Sequence, residues 1–419
     1  MNKPYAFLLV FLALSALLVF AVQPVKASGD LWVERAPMPN QECFFGAVSV
    51  NGEIYAIGSN FTYMFNPSTD SWVSKTPMPT NQQGFAIAVY QNEIYVIGGW
   101  NSIDPNTGVA IPTGSNEMYD PATDTWTTKS PMPTPTTYLQ ANVVDDKIYL
   151  ISGMTNVYNP TLSNATWVYD PATDSWSTAA PIPTSVFSYA SAVVNNQIYI
   201  EGGELSGSPH YSNLNQIYDP ETNTWTLGQP LPVTVYDAGA GATTGVFAPA
   251  MLYVMGGTND GIDGINTTQI YNPQTDNWTL GAQMLTARLG LAVAVLNDSL
   301  YAIGGESWEP EINYGAIYNV NEQYIPLDYQ GPTPSPYVPT PSPYHTSTPT
   351  PTSSPSPTLT PSESPSASPS ASPQPTRSPE PISQLTLPIM YAAVATVATV
   401  IIAAAVVFIF RKSGKKRLT

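Results

Sequence analysis

Tyr119-Asp120-Pro121-Ala122-Thr123-Asp124-Thr125-Trp126 is one of five near-copies of a single phrase in this chain. An aromatic, then Asp or Asn, then Pro-x-Thr-Asp/Asn-x-Trp also spans Phe65–Trp72, Tyr169–Trp176, Tyr218–Trp225 and Tyr271–Trp278. A worn sixth copy is read at Tyr318–Tyr324, with Tyr324 in place of the Trp. A period of about fifty residues points to an array of small units, each too thin to hold a core alone. Within the phrase, Asp-Pro opens a turn, because Asp suits its first position and Pro presets the second. The aromatic therefore ends one strand and the Trp opens the next.

Two apolar runs lie upstream of each copy, as in Ala190–Val194 and Ile198–Ile200, or Leu291–Leu296 and Leu300–Ile303. Asn51-Gly52, Asp145-Asp146 and Asn195-Asn196 separate such runs and tolerate the positive φ of a tight hairpin. The second runs alternate little, so both of their faces are expected to be buried. They end in small pairs such as Gly98-Gly99, Gly202-Gly203 and Gly304-Gly305, where the backbone kinks or is closely approached. Each unit thus holds four strands, a to d, joined by uniformly short a–b and c–d turns. Radial stacking of such sheets buries their faces and leaves short edges.

The double glycine followed at fixed offsets by Tyr and Trp resembles the kelch repeat. The resemblance covers roughly residues 30–328 and implies an all-β, six-bladed β-propeller, since six second strands are present. Leu31-Trp32-Val33 reads as a d strand without its own a, b and c, so the N-terminal strand is expected to close the last blade.

The flanks speak to location. Residues 1–27 read as a signal peptide, with Lys3 before an apolar core and Val25-Lys26-Ala27 at the cleavage site. Ile389–Phe410 is charge-free and long enough to span a bilayer as one helix. Residues 411–419 carry five basic residues, the mark of a cytoplasmic tail. Residues 331–384, rich in Pro, Ser and Thr, cannot build a core and favour an extended stalk. At ~3.1 Å per residue such a stalk spans on the order of 150 Å. The expectation is a single-pass cell-surface protein with its propeller outside.

All 30 acidic residues but only six Lys or Arg lie between the signal peptide and the membrane span, which argues against nucleic acid as a partner. The single Cys43 leaves no internal disulfide and is expected as a buried free thiol near strand a. Asn60, Asn164, Asn266, Asn277 and Asn297 open glycosylation sequons, which are permissive only in a chain so rich in Asn, Ser and Thr. No cofactor is expected. The one metal candidate, Asp260, Asp263 and Asn266 in a Gly-rich loop, offers oxygen ligands for calcium but does not match an EF-hand.

The b–c and d–a loops share one face of the disc, are long, and differ between units, so recognition is expected there. The d–a loop of the fifth unit is read as Val233–Phe247. The ligand-binding candidates are Phe45, Trp100, Tyr138, Tyr189, Tyr211, Tyr236, Arg288, Glu306 and Trp308, with Glu204 and Asp237 among the acids on the same loops. Aromatic platforms beside carboxylates suit an extracellular protein or a glycan. One histidine in the propeller, His210, rules out a copper site with two imidazoles or a His-based nucleophile set. Two arginines, Arg35 and Arg288, are too few for a sialidase-like cluster. The reading is a recognition or adhesion module without catalysis. The alternative is a tethered carbohydrate-active enzyme of the kelch sialic-acid-mutarotase type, which the resemblance leaves open, with Arg288, Glu201 and Glu306 as its groups.

Overall fold

The computed structural model describes residues 29–208, 210–309 and 314–332. Six four-stranded antiparallel sheets surround an axis. Blade 1 is Gly46–Val50, Glu53–Ile57, Thr62–Asn66 and Ser71–Lys75. Blades 2, 3 and 4 repeat this order over Ala86–Thr128, Gln140–Ala179 and Ala190–Leu227. Blade 5 is Gly239–Ala242, Leu252–Met255, Thr268–Asn272 and Asn277–Leu280. Blade 6 takes Ala292–Leu296, Ser299–Ile303 and Asn321–Ile325, with Leu31–Arg35 as its outer strand. Each a strand packs against the a strands of both neighbours, so the ring is closed. The expected signal peptide, membrane span and basic tail, and all but the first two residues of the expected stalk, lie outside the described residues.

The repeated phrase is an inter-blade clamp at the rim. Trp126 donates its indole N–H to Thr76 O of the preceding blade (2.9 Å), while the Asp124 carboxylate accepts Thr76 N–H (2.9 Å). Tyr119 then donates to Asp124 (2.6 Å) from strand c of the same blade. The same three bonds recur around Asp174, Asn223 and Asp276. The clamping Asp or Asn sits at positive φ, 47° to 54°, which these two side chains tolerate better than most. Blade 1 has Phe65 in place of the Tyr, and Arg35 approaches the Asp70 carboxylate instead (3.3 Å). The b strands are buried on both faces, and aromatic pairs such as Tyr119–Trp126 fill the seams between blades.

Closure by the N-terminal strand is as the sequence implied, but the sixth copy was misaligned. Strand c of blade 6 places Tyr324, not Tyr318, at the aromatic position, opposite Trp32. Asp30 and Trp32 supply the missing half of the phrase. Tyr324 donates to Asp30 (2.7 Å), Asp30 accepts Ala282 N–H (2.7 Å), and Trp32 donates to Ala282 O (2.9 Å). The Asp/Asn and Trp clamp is therefore present in all six blades, and in blade 6 it is completed by Asp30 and Trp32 of the N-terminal strand region.

Blade 5 corrects two other expectations. Strand a, Gly239–Ala242, lies inside what was read as a d–a loop. It has no apolar run because blade 6 presses on it: a Cβ at Gly239 or Gly241 would lie 2.4 or 2.5 Å from the methyls of Val293 or Val295. Its a–b connection is long rather than short. The Asp298 carboxylate organises it, accepting N–H bonds from Thr244, Val246, Phe247 and Ala248 at 2.6 to 3.1 Å. Burial raises the Asp298 pKa, but those bonds prevail and hold it below the usual carboxylate range.

Candidate functional site: the axial mouth

Each d–a loop ends on a residue in the left-handed region just before strand a. These are Phe44, Gly84, Tyr138, Ser188, Asp237 and Gly290, at φ of 51° to 62°. The N–H of each donates to the carbonyl of its equivalent in the preceding blade, at 2.8 to 3.2 Å, and Phe44 closes the circle by donating to Gly290. Bulky residues at positive φ are outliers, and the closed circle of six hydrogen bonds holds them there. All six line a small axial cavity of about 60 Å³.

A second ring surrounds the first. Gln83, Thr137, Phe187, Tyr236 and Leu289 pair as backbone bridges with Trp100, Met154, Glu204, Thr258 and Glu306 of their own blades. The second glycine of each pair makes this approach feasible, since a Cβ at Gly99 would sit 2.5 Å from Gln83 O. Blade 1 turns back at once through Gly58 and Phe61, leaving Cys43 at the equivalent place. The inner backbone ring is thus six-fold regular, while the residues it presents are Phe, Tyr, Ser and Asp and, in blades 2 and 6, Gly.

One side of the mouth is aromatic. Phe44 meets Tyr138 edge-on (6.3 Å between centroids), and Tyr138 meets Phe187 (6.3 Å). The other side is acidic, with Asp237, Glu204 and Glu306. Burial pushes the Asp237 carboxyl up to about 7; Glu204 and Glu306 add to the rise, and a bond from Ser188 opposes it. Burial also raises Glu204, which His210 partly offsets. The Cys43 thiol is raised by burial, by the charges of Glu306 and Glu42, and by its hydrogen bond to Glu306. It is half-buried at the mouth, not in the core, and stays protonated at neutral pH.

A larger cavity of about 660 Å³ opens between blades 5, 6 and 1, walled by Phe44, Tyr236, Ile262 and Leu289 with Asp237 and Glu306. A shallower groove of about 320 Å³ lies between the b–c hairpins of blades 2 and 3. Ile103, Ile111 and Tyr158 beside it are 51%, 45% and 66% exposed.

The sequence-based candidates separate into two groups. Trp100, Tyr138, Tyr211, Tyr236 and Glu306 are at least partly exposed on the loop face, with Tyr211 stacked on Tyr236 (4.6 Å, 17°). Phe45, Tyr189 and Arg288 belong to the frame. Phe45 packs on Phe61 in the seam between blades, and Tyr189 donates to Ile151 O and accepts Gln140 N–H across one. Arg288 is fully buried, paired with Glu322 (2.9 Å) and bonded to Thr286 O and Ala302 O. Trp308 stands on a described strand, but its side chain lies outside the described residues. Ser188 and Cys43 were not among the candidates. Counting back two residues from each a strand would have found the first, because the clamp fixes the register.

Asp260 accepts N–H bonds from Ile262 and Asp263 in its own turn, while Asn266 donates to Met284 O (3.5 Å), so the calcium candidates have separate partners. Among the described residues, no His, Cys, Asp and Glu cluster has the arrangement of a metal site. Of the sequons, Asn60, Asn164, Asn277 and Asn297 are exposed and Asn266 is half-buried. Glu201 is fully exceptional in the frame. Ile57, Ile97, Ile151, Met255 and Ile303 hold the equivalent place in the other blades, yet Glu201 is equally buried and neither of its oxygens has a hydrogen-bond partner. Burial raises its pKa well above the carboxylate norm.

Comparison with known proteins agrees with this architecture. The KLHDC2/KLHL20/DRC7 Kelch-repeats domain matches residues 43–230, and the Kelch motif matches residues 251–285. Kelch-like protein 23 of Homo sapiens is 35% identical over 78 residues, and that of Pongo abelii is 33% identical over the same length. Each match covers 18% of this chain and only 14% of the relative. The solved structure titled "Structure of YjhT" superposes with a TM-score of 0.59 at 16% identity, covering 68% of this chain and 95% of that one. That likeness shows the fold alone. The chain carries kelch repeats folded as a six-bladed propeller.

Proposed function

We propose that this chain is a non-catalytic recognition module at the cell surface, its propeller held away from the membrane on the 331–384 stalk. The mouth grips a segment of an extracellular protein. The observation that carries this reading is the mouth itself: a rigid, closed backbone ring presenting Phe, Tyr, Ser and Asp side chains and two glycines beside a cavity of about 660 Å³. A kelch propeller supports a protein-binding module. The exposed apolar groove between blades 2 and 3 extends the same face and suits a protein surface better than a sugar.

The position of the chain ends supports a tethered display. Asp30 and the last described residues, around Tyr329 and Pro332, lie against the a–b and c–d turns. Those turns lie on the face opposite the mouth. Against the mutarotase-type alternative, Arg288 is engaged with Glu322 and two carbonyls, and Glu201 is sealed inside a blade seam. Only Glu306 of that trio reaches the mouth. The test presents the full chain on cells to protein and glycan arrays. Saturable protein binding lost on Trp100→Ala, without turnover of any glycan, is the expected result. Glycan turnover abolished by Glu306→Gln would contradict it.

A further inference from the structure

The cavity between blades 5, 6 and 1 has apolar walls and two carboxylates. Phe44, Tyr236, Ile262 and Leu289 provide the walls, and Asp237 and Glu306 the charge. Glu204 adds a third carboxylate whose field reaches Asp237. The arginines and lysines of the described residues are placed elsewhere. Arg288 is paired with Glu322, Arg35 with Asp70 and Lys147 with Asp170, while Lys75 ends the outer strand of blade 1 and Lys129 directly follows that of blade 2. At about 660 Å³ the cavity admits a long side chain together with its backbone. An aromatic wall beside desolvated carboxylates is complementary to a cation carried on an apolar stem.

Building on the binding-module reading, we infer that this cavity takes an arginine or lysine side chain from an extended segment of a partner protein, its charge between Asp237 and Glu306 and its stem against Phe44 and Tyr236. The arrival of a cation favours the ionised carboxylate, so occupation and deprotonation of Asp237 are coupled. The groups facing Asp237 are Ser188, Glu204 and Glu306, with Tyr236, Tyr138 and Cys43 also within its field. Because burial pushes the Asp237 carboxyl up to about 7, affinity is expected to rise as pH increases through that value.

The test uses the full chain and a labelled Gly-Ser-Arg-Ser-Gly peptide, with a citrulline twin that keeps the shape and loses the charge. At physiological salt and pH 8 the arginine peptide is expected to bind about tenfold more tightly than its twin. Asp237→Asn with Glu306→Gln removes that preference. Asn tolerates the φ of 51° at this position, so the ring is kept. Asp120→Asn with Asp219→Asn deletes as much charge from the turn residues, where Asn66 and Asn272 already stand in blades 1 and 5, and leaves the preference intact. Equal loss from both pairs would reduce the effect to diffuse surface charge and overturn the inference. Equal binding of the twin, abolished by Phe44→Ala, would also overturn it while the binding-module reading stands. Preference for spermidine or glucosamine over the peptide would overturn it as well. Glycan turnover at this mouth would overturn both.

Discussion

The rim and the mouth of this propeller use repetition in opposite ways. At the rim, the same Asp or Asn and Trp side chains make the same inter-blade bonds six times, and an aromatic partner varies only once, at Phe65. At the mouth the backbone bonds are the same six times, but the side chains are Phe44, Gly84, Tyr138, Ser188, Asp237 and Gly290. Side chains held constant build the frame. Side chains that vary on a constant backbone are free to be chosen for a ligand.

If the rim is a structural clamp, removing one of its Trp anchors has the largest effect on stability. Trp32→Ala, which unfastens the closure of blade 6, is expected to cost about 3–5 kcal/mol in chemical unfolding. Little change there would mean that the ring does not depend on its N-terminal strand. Asp174→Ala, which strands Ser130 N–H and the Tyr169 hydroxyl, is expected to cost about 1–3 kcal/mol. Asp174→Asn is expected to stay within about 0.5 kcal/mol, as Asn223 already serves in blade 4.

Glu201 breaks the constancy of the frame and gives the next effect. Glu201→Met, matching Met255 of blade 5, is expected to stabilise by about 1–3 kcal/mol at pH 7. The sign of the pH dependence follows from the raised pKa. The folded chain keeps the Glu201 proton after the unfolded chain has lost its own, so stability falls as pH rises above the ordinary carboxylate value. Unfolding midpoints from pH 4 upward check this, because Glu201→Met removes that contribution to the decline. The smallest stability effect belongs to the mouth: Trp100→Ala is expected to shift unfolding by about 0.5 kcal/mol or less while abolishing partner binding.

Much of the frame was legible because its chemistry is written in side chains. Asp-Pro turns, glycine pairs and Trp anchors gave the strand count and the ring. The failures have physical causes. The Tyr318–Tyr324 reading failed because Asp30 and Trp32, far away in sequence, complete that copy. Strand a of blade 5 was missed because Gly239 and Gly241 make room for Val293 and Val295, erasing its apolar pattern. Arg288 and Tyr189 looked like surface groups because sequence gives a loop but not the seam beneath it. The mouth was legible as a face, not as a set of residues, since its unifying feature is a ring of backbone bonds to which no particular side chain is obligatory.

The central claim is that rim side chains hold the fold while mouth side chains select the ligand. Its most direct test measures arginine-peptide affinity and unfolding midpoint together for Asp237→Asn and Asp174→Ala. The account predicts that Asp237→Asn weakens binding without lowering the midpoint, and that Asp174→Ala lowers the midpoint with unchanged affinity of the folded protein. A loss of both properties in both variants would contradict it.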